Sequence, residues 1–275
     1  MMGRKSRLVV EEKYRSLLAE QGLVEFEHFM AARGRLVCRK RGRSTVRLEA
    51  GSRAFYLKRN FFNWVEFGKG LLRLRLPPRG AMQEWRNIER TAETGIASLT
   101  PVAFGEALFW GLEIRSFTMT EELYQCLPLD AVLRRMAESA QPGVWQHKRQ
   151  LVAKVAQLAR RLHGAGLFHQ DFYLSHIYVD PEHRLYLIDL QRVLKRPWRL
   201  RHFQVKDLGQ LNYSAQRTAM ISRTDRMRFF LHYLDRASLT AQDKSLAGRI
   251  VQKTRRIARH DAKLYVRRRR RGELL

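Results

Sequence analysis

Four acidic or basic side chains occur where each has a use in phosphoryl transfer. Asp171 lies in the polar stretch HQDFYLSH, between a helical pattern and a short apolar run. A carboxylate on such a loop can accept the proton of an attacking hydroxyl. Asp189 closes the run LYLID, and a carboxylate at a strand end can bind Mg²⁺ through its hard oxygens. Lys58 ends the run FYLK, where an ammonium can reach the α and β phosphates of ATP. Glu84, in AMQEWRNIERTAET, can pair with Lys58 and fix it, with Glu89 in the same segment as competitor.

The elements that must position these groups follow from periodicity. LVCRKR, STVRLEA and RAFYLKR are short runs separated by Gly42-Arg43 and Gly51-Ser52, which predicts a three-stranded antiparallel meander ending on Lys58. Residues 81–94 predict a helix with Trp85, Ile88 and Ala92 on one face and Gly95 as its stop. TPVAFGEA and LFWGLEIRSFTMT read as two further strands, and Thr120 to Tyr124 as a connector. Beyond it the pattern is helical over 129–138 and 144–163, where Leu151, Val155, Leu158 and Leu162 form a stripe. Two more helices are expected over 205–218 and 239–263. Residues 11–33 start with helical spacing at Tyr14, Leu17 and Leu18, which Gly22 interrupts.

Composition narrows the partners. The 275 residues are 45% apolar, enough for a sizeable core, and carry a formal charge of +27. Such charge speaks for polyanionic partners: nucleic acid, an anionic membrane surface, or a substrate rich in phosphates and carboxylates. No nucleic-acid-binding motif is present, so no specific nucleic acid is expected. Cys38 and Cys126 lack CxxC spacing, which argues against a disulfide framework or structural zinc and for a reducing compartment. The N-terminal apolar run stops at Val10, too short for a signal peptide, and no segment approaches the ~20 apolar residues of a membrane span. A cytoplasmic protein able to lie against a membrane is expected. The aromatic and basic stretch Phe61, Phe62 and Trp64 to Arg75 is a candidate interfacial element.

The order strand Lys, helix Glu, HxD loop and apolar-apolar-Asp strand end resembles the protein-kinase signature set. The departures are specific. His176 stands where kinases place the second metal ligand, Leu190-Gln191 follows Asp189 in place of Phe-Gly, and RKRGRS replaces a Gly-rich loop. HQDFYLSH with YLIDLQR is similar to the lipopolysaccharide kinase family of the Kdo/WaaP type, with its H-x-D-x-Y-x-x-H and I-D-L-[HQ]-R. FYLKR, QEWRNI, TMTEEL and VKDLGQLNYSA extend the resemblance over residues 35–220.

That resemblance implies an α+β, bilobal protein-kinase-like fold, with a small antiparallel sheet lobe carrying one helix and a larger helical lobe. It implies transfer from Mg²⁺-ATP to a heptose or Kdo hydroxyl of the lipopolysaccharide inner core, at the cytoplasmic face of a Gram-negative inner membrane. By the same resemblance Asp171 is the catalytic base, Lys58 and Glu84 are the ATP-positioning pair, and Asp189 and His176 take the metal-side positions. His169 and Asp207 support the catalytic loop, and Met119 is an apolar wall of the adenine pocket. His163 reads as a helix-end packing residue. The expected partition is an N-terminal extension (1–33), an N-lobe (34–119), a C-lobe (120–265) and a basic tail (266–275). The glycolipid core and the anionic inner-membrane surface are the expected partners, and the charge suits both. The alternatives are a kinase-like phosphotransferase acting on a protein or RNA-associated substrate, a catalytically weak pseudokinase, and a non-catalytic nucleic-acid-binding module.

Overall fold

The computed structural model describes residues 4–40, 42–62, 80–110, 112–139, 142–196, 198 and 200–271. The chain divides into two compact units. One holds the described residues up to Ala92 together with Ser98–Tyr124; the other holds Glu93–Ala97 and those from Gln125 onward.

The first unit is built on a six-stranded antiparallel sheet. Its strands are β1 (Arg4–Val10), β2 (Arg35–Lys40), β3 (Arg43–Ala50), β4 (Arg53–Phe61), β5 (Pro101–Phe109) and β6 (Leu112–Glu121). They lie in the order β1-β5-β6-β4-β3-β2. In β4 the alternation decides which residue faces where. Phe55 and Leu57 are fully buried in the core, while Lys58, one position on, points to the opposite face.

The segment read as an extension is part of this lobe. β1 pairs with β5 over its whole length, from Arg4 opposite Phe109 to Val10 opposite Ala103. Two short helices follow, α1 (Arg15–Glu20) and α2 (Phe26–Ala31). Tyr14, just before α1, and the helix residues Leu18, Phe26, Phe29 and Met30 join Phe55, Leu57 and Phe117 in one core. Phe29 stacks on Phe117 with centroids 4.5 Å apart. At roughly 1.5–3 kcal/mol per fully buried large apolar side chain, these residues tie the segment to the core of the sheet. Gly105 makes the packing possible. A Cβ there would lie 2.5 Å from the Phe117 ring and 2.7 Å from that of Phe26. Met119, expected at an adenine pocket, is fully buried in this core instead, because its place on β6 faces Leu57 across the sheet pair.

α3 (Gly80–Glu93) packs through a second apolar cluster, in which Met82 and Trp85 meet Phe104. Of the candidate interfacial stretch, Trp64 to Arg75 lie outside the described residues.

The second unit is mainly helical: α4 (Leu129–Glu138), α5 (Val144–Gly164), α6 (Leu200–Gln216), α7 (Arg223–Leu234) and α8 (Ala241–Arg270). Leu151, Val155, Leu158 and Leu162 of α5 are buried as their spacing predicts. Two antiparallel ladders complete it. β9 (Ile177–Val179) lies between β10 (Leu185–Leu187) and β7 (Leu127–Pro128), and β8 (Leu167–Phe168) pairs with β11 (Leu194–Lys195). The segment 93–97 joins this unit because the Leu187 N–H donates to the Ala97 carbonyl and Arg161 to that of Gly95.

α7 has no counterpart in the sequence-based expectation. It starts at a reciprocal cap, with Asp225 N–H donating to Ser222 Oγ (3.1 Å) and Ser222 N–H to Asp225 Oδ2 (3.0 Å). The end of the chain also differs. The arginines of the expected tail continue α8 through Arg270, since Arg is a strong helix former and cations suit a helix C-terminus. Among the described residues no helix is long and apolar enough to cross a membrane.

Candidate active site

Within the sheet lobe, Lys58 and Glu84 meet. Lys58 Nζ lies 2.7 Å from Glu84 Oε1; Glu84 is buried and the Lys58 side chain is about one-third exposed. The competitor Glu89 is engaged elsewhere, accepting from the Trp85 indole N–H at 2.8 Å. The geometry of a helix separates them, because residues five apart face different sides.

Within the helical lobe, the loop after β8 hangs from one buried carboxylate. Asp207 of α6 is fully buried. Its Oδ2 accepts from the His169 backbone N–H at 2.7 Å and its Oδ1 from that of Gln170 at 2.9 Å. Gln210, one turn on, repeats the device with its side-chain amide. Its Oε1 accepts from Phe172 N–H and its Nε2 donates to the Gln170 carbonyl. Ser214 Oγ accepts from Leu174 N–H. Positions 207, 210 and 214 follow helical spacing, so one face of α6 holds the loop backbone. Gln170 takes a left-handed φ of 71°, unusual for a residue with a Cβ, and Lys206 Nζ donates to its side-chain oxygen at 2.7 Å.

The two histidines of the loop are fixed by carbonyls. His169 is fully buried, and its Nε2–H donates to the Ile188 carbonyl at 2.8 Å. Burial drives its imidazole below the ordinary histidine range, so the ring is neutral and ties the loop to the strand end before Asp189. His176 Nδ1–H donates to the Asp171 carbonyl at 2.7 Å, which leaves Nε2 as its one lone pair. His163, expected to pack at the end of α5, does so against Phe168 and Tyr233. It also lies between the Tyr233 hydroxyl (2.9 Å) and Asp207 (3.4 Å).

Asp171 is partly exposed, and both its oxygens meet Nη1 of Arg192, at 3.0 and 2.7 Å. Arg192 lies on the 3-10 turn Leu190–Arg192, which begins directly after Asp189. Asp189 itself holds a left-handed φ of 57°, which Asp tolerates better than most residues. Its carboxylate is of the kind Mg²⁺ takes. His176 offers only an imidazole nitrogen, which Mg²⁺ accepts less readily than oxygen. Among the described residues no group of three or more His, Cys, Asp or Glu gathers into a metal cage. Mg²⁺ in phosphoryl-transfer sites is held by one or two carboxylates together with substrate phosphates, and Asp189 fits that pattern.

Arg192, Lys206, Gln210 and Ser214 were not singled out from sequence. Arg192 was legible only as part of IDLQR; the other three are a helix face whose use appears when the loop is folded against it.

Residues 27–233 match the lipopolysaccharide kinase (Kdo/WaaP) family. Lipopolysaccharide core heptose(I) kinase WaaP of Pseudomonas aeruginosa (strain PAO1) is 34% identical over 277 aligned positions, covering 98% of this chain and all of that protein. The protein of the same description from Escherichia coli K12 is 32% identical over 199 positions, covering 70% of this chain and 74% of its own. A solved structure described as WaaP in complex with acyl carrier protein matches with a TM-score of 0.71 at 29% identity, over 91% of this chain and 98% of that one. The sheet lobe and helical lobe are those of a protein-kinase-like fold. The chain belongs to the lipopolysaccharide kinase (Kdo/WaaP) family.

Proposed function

We propose that the chain is an ATP-dependent kinase that phosphorylates a heptose hydroxyl of the lipopolysaccharide inner core, the first heptose by its likeness to the heptose(I) kinases. The observation that carries the reaction is the catalytic loop. A buried carboxylate on α6 holds its backbone and leaves the Asp171 carboxylate at the surface. Asp171 accepts the proton of the acceptor hydroxyl as the oxygen attacks the terminal phosphorus. Lys58, held by Glu84, binds the α and β phosphates of the nucleotide. Asp189 would hold the Mg²⁺, and His176 takes the second metal-side position by the family resemblance. Mg²⁺, when bound, neutralises charge on the transferring phosphates. Phosphoryl transfer is mostly a matter of positioning and charge, so the small number of groups suffices.

The +27 charge of the chain suits a place at an anionic inner-membrane surface, where each Lys or Arg near the bilayer contributes about 1 kcal/mol.

The test is an acceptor panel. The purified chain is given Mg²⁺-ATP and core glycolipids truncated to Kdo alone, to the first heptose, or beyond it, and products are weighed by mass spectrometry. One added phosphate is expected on every acceptor containing the first heptose and none on Kdo alone. Phosphate on Kdo alone, or on no glycolipid, rejects the heptose assignment.

A further inference from the structure

A small cavity borders the catalytic loop's support. It lies between α6 and α8, measures about 150 Å³, and is lined by His202, Lys206, Arg249, Lys253 and Arg256 with Val205 and Gln252. No carboxylate lines it. Among the described residues Arg249, Lys253 and Arg256 have no acidic partner, and their side chains are left to the pocket and solvent.

The cavity is built rather than incidental. α6 and α8 approach closely at Gly209, where a Cβ would lie 2.7 Å from Lys253 Cγ and 3.1 Å from its Cβ. The next residue, Thr254, is buried there; its hydroxyl shares its proton between the Ile250 carbonyl (2.9 Å) and the Gly209 carbonyl (3.2 Å) and accepts from Asn212 Nδ2 (2.9 Å). The stem of Lys253 is therefore held against α6. Lys206 forms the link to the chemistry. Its Nζ is 2.7 Å from the side-chain oxygen of Gln170, the residue before Asp171.

Four cations face this pocket, Lys206 and Lys253 half-buried and Arg249 and Arg256 exposed. Burial, then the neighbouring Arg192, pushes the Lys206 ammonium below its ordinary range; Asp207 and Asp171 oppose the shift and Lys253 adds to it. An anion seated among them reverses that balance, because each cation then makes a charge-assisted hydrogen bond.

We propose that this pocket is an acceptor subsite: Lys206, Arg249, Lys253 and Arg256 seat an acidic group, carboxylate or phosphate, of the glycolipid while Asp171 receives the hydroxyl. The subsite rests on the glycolipid kinase reading and deepens it. Inner-core acceptors carry Kdo carboxylates and phosphates, so the shared chemistry is an oxyanion close to the reacting sugar.

The test is steady-state kinetics of the full chain on a Kdo-heptose glycolipid. The paired change Lys253→Gln with Arg256→Gln should raise the acceptor KM roughly tenfold, the weight of a lost charge-assisted hydrogen bond, with the ATP KM unchanged. Lys253→Arg should retain the wild-type acceptor KM. Arg259→Gln with Lys263→Gln, which removes equal charge from α8 outside the pocket, should leave the acceptor KM unaltered. Two modified acceptors separate the sources. Whichever of the carboxyl-reduced or phosphatase-treated glycolipids has lost the seated group should show the raised KM with the wild type and no further rise with the pocket variant.

An unchanged acceptor KM in the pocket variant overturns the subsite, as does an equal rise in the control pair, which would mean general charge attraction. In both cases wild-type turnover still supports the kinase reading. A wild type that phosphorylates no such acceptor removes that reading, and the subsite with it.

Discussion

Asp171 is held from two directions: its carbonyl accepts from His176, and its carboxylate is met by Arg192. Arg192 is mostly exposed, so this ion pair is worth roughly 0–1 kcal/mol and can be given up to an incoming hydroxyl at little cost. Asp171→Asn keeps the shape of the side chain and removes the proposed base. Its kcat should fall by about 10²–10⁴ while ATP affinity, read by calorimetry, stays at the wild-type value; equal turnover in the two proteins rejects Asp171 as base. At this scale the sequence was legible where residues sit in a motif. Lys58, Glu84 and Asp207 occupy the places their motifs assign, and they touch the expected partners. It was silent where a residue matters only through a neighbour distant in the chain. Gln210 and Ser214 look like ordinary helix residues until the loop is laid on them.

Among the elements, β2 to β4, α3 and α5 could be read because their apolar spacing is regular. β1 could not. RKSRLVV has only three apolar residues, and it becomes a strand through its pairing with β5, far along the chain. α7 was missed for a different reason. RTDRMRFFLHYL has no single apolar stripe, and only the Ser222-x-x-Asp225 cap announced it. That cap is also a tie between helices. Lys148 of α5 is buried, its Nζ 2.8 Å from Asp225 Oδ2. Burial alone would raise the Asp225 carboxyl, but Lys148 and Ser222 outweigh it and hold it at about 2. Lys148→Met leaves that buried carboxylate short of its counter-charge, at a cost of about 3 kcal/mol, to be read from urea unfolding at neutral pH. The pH dependence has a definite sign. Asp225 is depressed on folding, so its contribution is present above the unfolded value of about 4 and is lost as pH falls toward 2. In the variant the folded value rises toward the unfolded one, so the acid loss should be smaller and the two proteins should converge in stability toward pH 2; a variant as stable as wild type at every pH refutes the tie.

For the whole molecule, charge and architecture separate cleanly. The described part of α8 beyond Ile257 is exposed along its length and ends in Arg267 to Arg271. Truncation after Tyr265 removes those five arginines and leaves the packed half of the helix intact. At about 1 kcal/mol per basic residue near an anionic bilayer, cosedimentation with anionic vesicles should weaken by orders of magnitude at low salt. The difference should shrink as salt shortens the Debye length to about 8 Å or less, while glycolipid turnover in detergent stays near wild type. Equal vesicle binding by the two chains excludes the end of α8 as the contact. The packed half of α8 carries a different consequence, one of timing. α6 presents Asp207 to the catalytic loop, and α6 is itself backed by α8 through Gly209 and Thr254. On the ribosome the sheet lobe and the loop emerge first, and the helix that backs their support is the final described element to leave the exit tunnel. A nascent chain therefore carries Asp171, Lys58 and Asp189 well before it has the scaffold that fixes the loop around Asp171.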